Sequence, residues 1–230
     1  MQTTSKLILL WRWAVFLIAA FYAVYMITTA DYSRPGGPFR FLTIWALLLS
    51  FFCASRVLAL SEGRSTRRWH GVLAATAVVN GMVVFLYWSL YFNDPSSVTR
   101  NGELGVWWQE LYLHAAGPAL QWIEALFVSR AFRRPLASLA WLVGFVVAYL
   151  TWAEQFVQRF NETPVGSVTT GLPYPFLNNL EWSARLNFYG VNLATGVGLL
   201  AVFFVLGWLV NRVMPPQPSS AANKAASPER

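Results

Sequence analysis

Residues 7–28 read LILLWRWAVFLIAAFYAVYMIT, an apolar run interrupted once, by Arg12. At about 1.5 Å of rise per residue, a helix of this length crosses the hydrocarbon of a bilayer. The run is longer than the apolar region of a secretory signal, and no small-x-small cleavage site follows it, so it is read as a first membrane helix. Five more apolar stretches follow, at 40–60, 69–93, 106–129, 136–158 and 184–211. Each is long enough to span, with tilt absorbing the excess. Lipid leaves stray backbone donors unsatisfied, so open-ended spans must be helical. Turn chemistry separates them, notably at Arg34-Pro-Gly-Gly-Pro38 and Asn93-Asp-Pro95. The expected fold is all-α and polytopic: a single six-helix transmembrane domain over 1–213, then a disordered Pro/Ser/Ala-rich tail over 214–230.

Composition agrees with that reading. Hydrophobic residues make up 56% of the chain and charged ones 12%, against about 25% charged in a soluble domain. Trp and Tyr, present 12 and 9 times, suit headgroup depth. The net charge of +7 comes from basic residues scattered between apolar runs. They form no stripe interleaved with aromatics, so no nucleic-acid partner is expected. Cys53 stands alone, which rules out an intramolecular disulfide and a cysteine metal cluster.

Orientation follows from Lys and Arg placement. Lys6, Arg64, Arg67, Arg68, Arg130, Arg133, Arg134, Arg212 and the basic residues of the tail share one side. Arg34, Arg40, Arg100, Arg159 and Arg185 lie on the other, mixed with Asp31, Asp94, Glu103, Glu162 and Glu181. Both termini are therefore expected in the cytoplasm. The expected location is the plasma or inner membrane, with the endoplasmic reticulum the alternative in a eukaryote.

Depth then sorts the polar residues. Thr43, Glu110, His114, Glu154, Asn187 and Asn192 fall in the outer half. Thr43 lies about 5 Å, and His114 about 12 Å, below the start of its helix. Arg56 and Glu124 fall together near the inner boundary and are read as a structural ion pair. Intramembrane polar groups usually face the bundle interior, so an outer-facing polar cavity is expected.

His114 is the most informative of them. Glu110 precedes it by one helical turn on the same face, and an imidazole is suited to general-base work. A neutral histidine hydrogen-bonded between helices is the plainer alternative. Thr43 alone suggests little, since threonine within a helix usually bonds its own backbone a turn earlier. Glu110 and Glu154 either orient His114 or meet water near the outer rim. His70 lies at the opposite end of the chain's spans, so the two histidines cannot share a metal or flank a haem. No metal or cofactor is expected. Gly-x-Ser-x-Gly, a phosphate loop and HExxH are all absent.

Four stretches carry a resemblance. They are Gly-Gly-x-x-Arg-Phe-Leu-Thr at 36–43, LYWSLYFND at 86–94, and the segment from His114 to Glu124 around Pro118. The fourth is Tyr149-Leu-Thr-Trp152, followed by a Thr-Gly and by Tyr174-Pro-Phe-Leu177. From about Tyr32 to Val213 the chain resembles the androgen-induced-gene family of six-helix membrane proteins. Characterised members of that family hydrolyse fatty acid esters of hydroxy fatty acids. The resemblance implies a helix-embedded threonine nucleophile with a histidine partner, at the positions of Thr43 and His114. The chain also departs from the pattern. Leu111 stands where animal relatives carry a second histidine, the proline after His114 comes one residue early, and Gly171-Leu-Pro-Tyr-Pro175 lacks a tryptophan.

The resulting expectation is an intramembrane carboxylic ester hydrolase acting on a lipid ester within the bilayer, with Glu110 and Glu154 in support. Arg40, Arg185 and Asn192 are the candidates for substrate binding, since Arg pairs with a carboxylate. The rival is a non-catalytic lipid-binding or scaffold protein of the same fold. A transporter is a third reading, without evident internal symmetry to favour it.

Overall fold

A computed structural model of the chain describes residues 5–99, 103–165 and 171–215. Six helices form among them: α1 Lys6–Thr28, α2 Leu42–Ser61, α3 His70–Asn93, α4 over 107–128, α5 Pro135–Val157 and α6 Trp182–Val213. All but α4 are long and apolar enough to cross a membrane. α4 is continuous but irregular. Its α-helical pieces Trp107–Leu111 and Gly117–Ile123 alternate with π-helical turns at Tyr112–Ala116 and Glu124–Val128. α5 also closes in a π turn, Ala153–Val157. Most of the tail expected over 214–230 lies outside the described residues.

α2 begins slightly later than its apolar run. Gly36 and Gly37 adopt left-handed backbone, with φ of 79° and 48°, and Pro38 opens a 3₁₀ turn, Gly37–Arg40. A side chain at Gly37 would press into the Tyr32 ring, 2.7 Å away, so both conformation and space demand glycine there.

α3 is the hub. Residues 71–83 are buried on every side, as expected for a helix that is apolar all round. Small residues allow this close approach. A Cβ on Gly71 would meet Ala137 and Trp141 of α5 at 3.2 Å. On the facing side, a Cβ on Gly196 of α6 would meet Met82 Sδ of α3 at 2.8 Å. α2, α4, α5 and α6 surround α3, and α1 packs mainly along α2.

The expected Arg56–Glu124 pair is corrected by the structure. Glu124 pairs with Arg12 of α1, Nη2 to Oε1, at 2.8 Å, and both side chains are buried. Trp11 Nε1 donates to Glu124 Oε2 at 3.0 Å and the Ser129 hydroxyl donates to Oε1 at 2.6 Å. Arg12 also donates to the Val57 carbonyl and to the Ser61 hydroxyl. The network ties α1, α2 and α4 at the end of the bundle where the chain begins and ends. Arg56 instead donates to its neighbour Ser55 and lies over the Phe52 ring, 5.5 Å from its centroid. Arg12 and Arg56 both lie a turn or two from that end, so depth alone did not separate them. The direction each helix face points decided it.

The alternation of spans predicts opposite exposure of successive loops. Thr66, between α2 and α3, and Ser96, after α3, are both exposed. In a Cys53→Ala background, Thr66→Cys should label with an impermeant thiol reagent only from the cytoplasmic side, and Ser96→Cys only from the other. Labelling of both from one side would break the six-span topology.

Candidate functional site

His114 owes its setting to the irregularity of α4. Pro118 has no N–H, so it cannot donate to the His114 carbonyl one turn back. Trp88 Nε1 of α3 supplies that bond instead, at 3.0 Å. The π turn around His114 closes with the Gly117 N–H donating to the Tyr112 carbonyl. A Cβ on Gly117 would come within 2.9 Å of the same oxygen, so glycine lets the turn tighten. π turns of this kind often mark functional positions. All three carry an ionisable intramembrane group: His114, Glu124 and Glu154.

The buried His114 ring stacks face to face on Tyr87, with centroids 3.5 Å apart and planes 5° from parallel. Tyr87 donates its hydroxyl to Glu110 Oε2 at 2.8 Å. The same oxygen lies 2.9 Å from His114 Nδ1, at an angle too oblique for an aligned hydrogen bond. Tyr87 thus braces both the ring and the carboxylate behind it.

Thr43 approaches from the other side. Two threonines elsewhere in the bundle bond their own helix: Thr28 donates to Val24 O at 2.8 Å and Thr195 to Val191 O at 2.9 Å. At Thr43 the corresponding carbonyl, that of Phe39, accepts from the Trp45 indole at 2.9 Å. The Thr43 hydroxyl instead lies 3.5 Å from His114 Nε2. This is the long edge of hydrogen bonding, a separation often seen before a substrate is bound. A carboxylate, an imidazole and a hydroxyl therefore stand in line across α4 and α2. Thr43 remains partly exposed.

The start of α2 is framed by tyrosines. Tyr149 donates to the Arg40 carbonyl at 3.1 Å, and the Tyr174 hydroxyl lies 3.4 Å from the Leu42 nitrogen. Beside them, Glu154 accepts from Tyr189 at 2.6 Å, with Arg185 Nε 3.7 Å from the same oxygen. Arg185 is buried, and its Nε and Nη1 make no hydrogen bond. Glu154 thus serves Tyr189 and Arg185, not His114. Asn192 turns its amide to the Phe188 carbonyl of its own helix, 2.8 Å away. Arg40 leans over the Phe41 ring, 4.8 Å from its centroid.

Several residues now in view were not singled out from sequence as site residues. Tyr87 and Trp88 lie within LYWSLYFND, and Tyr149 and Tyr174 lie within the quoted motifs of α5 and the last loop. Their membership of those stretches was the available signal; their partners were not.

One comparison with known proteins identifies the family. The profile of the FAR-17a/AIG1-like protein family matches residues 6–207. No curated protein and no solved structure matches the chain.

Proposed function

The chain belongs to the FAR-17a/AIG1-like family, and on that premise we propose that it is a membrane-embedded hydrolase of lipid esters. Thr43 is the nucleophile and His114 its base. The observation that carries this is the approach of the Thr43 hydroxyl to His114 Nε2, at 3.5 Å, with Glu110 behind the ring.

His114 accepts the Thr43 proton as the oxygen attacks the ester carbonyl, giving a tetrahedral oxyanion and an imidazolium. Glu110 stabilises that imidazolium, while the Tyr87 stack holds its plane. Thr43 sits in the first turn of α2, where the helix dipole favours negative charge. Collapse of the intermediate breaks the ester C–O bond, and His114 returns its proton to the leaving alcohol. Water, deprotonated by His114, then attacks the acyl-threonine, releasing a fatty acid and restoring the hydroxyl. Fatty acid esters of hydroxy fatty acids are the substrate class. Their free carboxylate suits Arg185, whose Nη1 makes no hydrogen bond while Nε faces Glu154.

A second reading has one observation in its favour: the Thr43–His114 contact is long. In that reading the bundle binds lipid without turnover. Purified protein offered an ester-linked lipid and its ether-linked analogue separates the two. Release of fatty acid from the ester alone is expected. Equal binding of both with no release would favour the lipid-binding protein.

A further inference from the structure

At the end of the bundle opposite the termini, two hollows adjoin on the rim. The narrower, of about 60 Å³, lies between the turn before α2 and the loop after α5, and both Arg34 and Arg40 line it. The wider, of about 670 Å³, shares Arg34, Pro35, Asn161 and Thr163 with it. Tyr32, Trp152, Phe160 and Glu162 also line this wider hollow. Neither is lined by Thr43 or His114.

Arg40 makes no ion pair among the described residues, and its Nη1 is enclosed without a hydrogen-bond partner. A buried, unmet N–H on a charged group is costly. Burial, and then the nearby charge of Arg34, lower the pKa of Arg40, and Asp31 offsets them only in part. Two guanidinium groups on one small hollow repel each other, and an anion between them relieves both costs. Asp31 does not fill this place: it is exposed and accepts from the Ser33 N–H at 2.8 Å. The neighbouring hollow has the opposite character. Aromatic faces beside a carboxylate are the surroundings that bind an alkylammonium group. Trp152 Nε1 is also buried without a partner, leaving a further donor there. Both hollows are built from the ends and connections of membrane spans, which places them at headgroup depth.

We propose that this rim binds the headgroup of a zwitterionic phospholipid, its phosphate held by Arg34 and Arg40 and its ammonium by Glu162 and the aromatic wall. The site is separate from the Thr43–His114 pair, and its occupant is a bound lipid of the surrounding leaflet.

The test uses full-length protein, delipidated in mild detergent and titrated with single additives while lipid retention is followed by native mass spectrometry. Phosphatidylcholine should be retained, phosphatidic acid retained less, and diacylglycerol not at all. Arg40→Gln should weaken retention of both phosphate lipids about tenfold or more, the effect of losing a charge-assisted hydrogen bond. Arg34→Gln, at an exposed position, should act in the same direction and carries the test if Arg40→Gln does not fold. Glu162→Gln should lower phosphatidylcholine retention to the level of phosphatidic acid and leave the latter unchanged. Undiminished retention in both arginine variants, or equal retention of diacylglycerol, would overturn the proposal. So would displacement of bound phosphatidylcholine by inorganic phosphate at equal concentration, which would make the ligand free phosphate instead.

Discussion

Thr43→Ala and His114→Ala are each expected to abolish fatty acid release, with the double variant no worse than either. A nucleophile and its base act as one unit, so their losses do not add. The fall should be about 10³-fold or more, since a positioned general base alone contributes roughly 10²–10⁴. Thr43→Ser keeps the hydroxyl and removes a methyl group, so it should retain measurable turnover. Its freer rotation leaves it slower than the parent. A structural role predicts a different pattern. Among the described residues the Thr43 hydroxyl meets His114 and no backbone carbonyl, and it is only partly buried, so a merely packing threonine would tolerate alanine with activity intact. Rates should be normalised to folded protein, measured by thermal unfolding of each variant.

The second large effect lies at the other end of the bundle. Glu124→Ala leaves the Arg12 guanidinium buried with its carboxylate gone, and Arg12→Ala strands Glu124 in the same way. Breaking such a pair from one side costs about 3–5 kcal/mol. Glu124 also loses the Trp11 and Ser129 bonds, at 3.0 Å and 2.6 Å, so its removal should be the more damaging. The double variant should be less destabilised than the sum of the two singles, because neither charge is then left alone. Arg56→Ala should change little, since among the described residues that guanidinium serves Ser55 and the Phe52 ring alone. Unfolding midpoints in one detergent compare all four. Equal loss in Arg56→Ala and Arg12→Ala would contradict the assigned pairing.

The spans were legible because their length and apolarity answer to bilayer thickness, a one-dimensional constraint. Depth is also one-dimensional, and it placed Thr43 and His114 in the same half before their 3.5 Å approach was visible. Azimuth is not carried by such counting. Arg12 and Arg56 share a depth, and only the packing of α1 against α2 and α4 shows which one faces Glu124. The π turns were equally hidden. Pro118 announced a missing donor, but nothing local says that Trp88 would cross from α3 to replace it. Tyr87 stacks on His114 across the same interface, a contact between residues far apart in sequence. Arg40, Arg185 and Asn192 looked alike as rim polar groups. Their fates differ because Asn192 can satisfy itself on its own helix, whereas a buried guanidinium cannot.

The proposed hydrolysis requires that Thr43 form a covalent bond to an electrophile. Purified protein treated with an alkyl fluorophosphonate, digested and mapped by mass spectrometry, tests that step directly. A single phosphonylated residue is expected, at Thr43, with labelling lost in His114→Ala and kept at residue 43 in Thr43→Ser. Fatty acid release by a protein that labels elsewhere, or that labels equally in Thr43→Ala, would contradict the account.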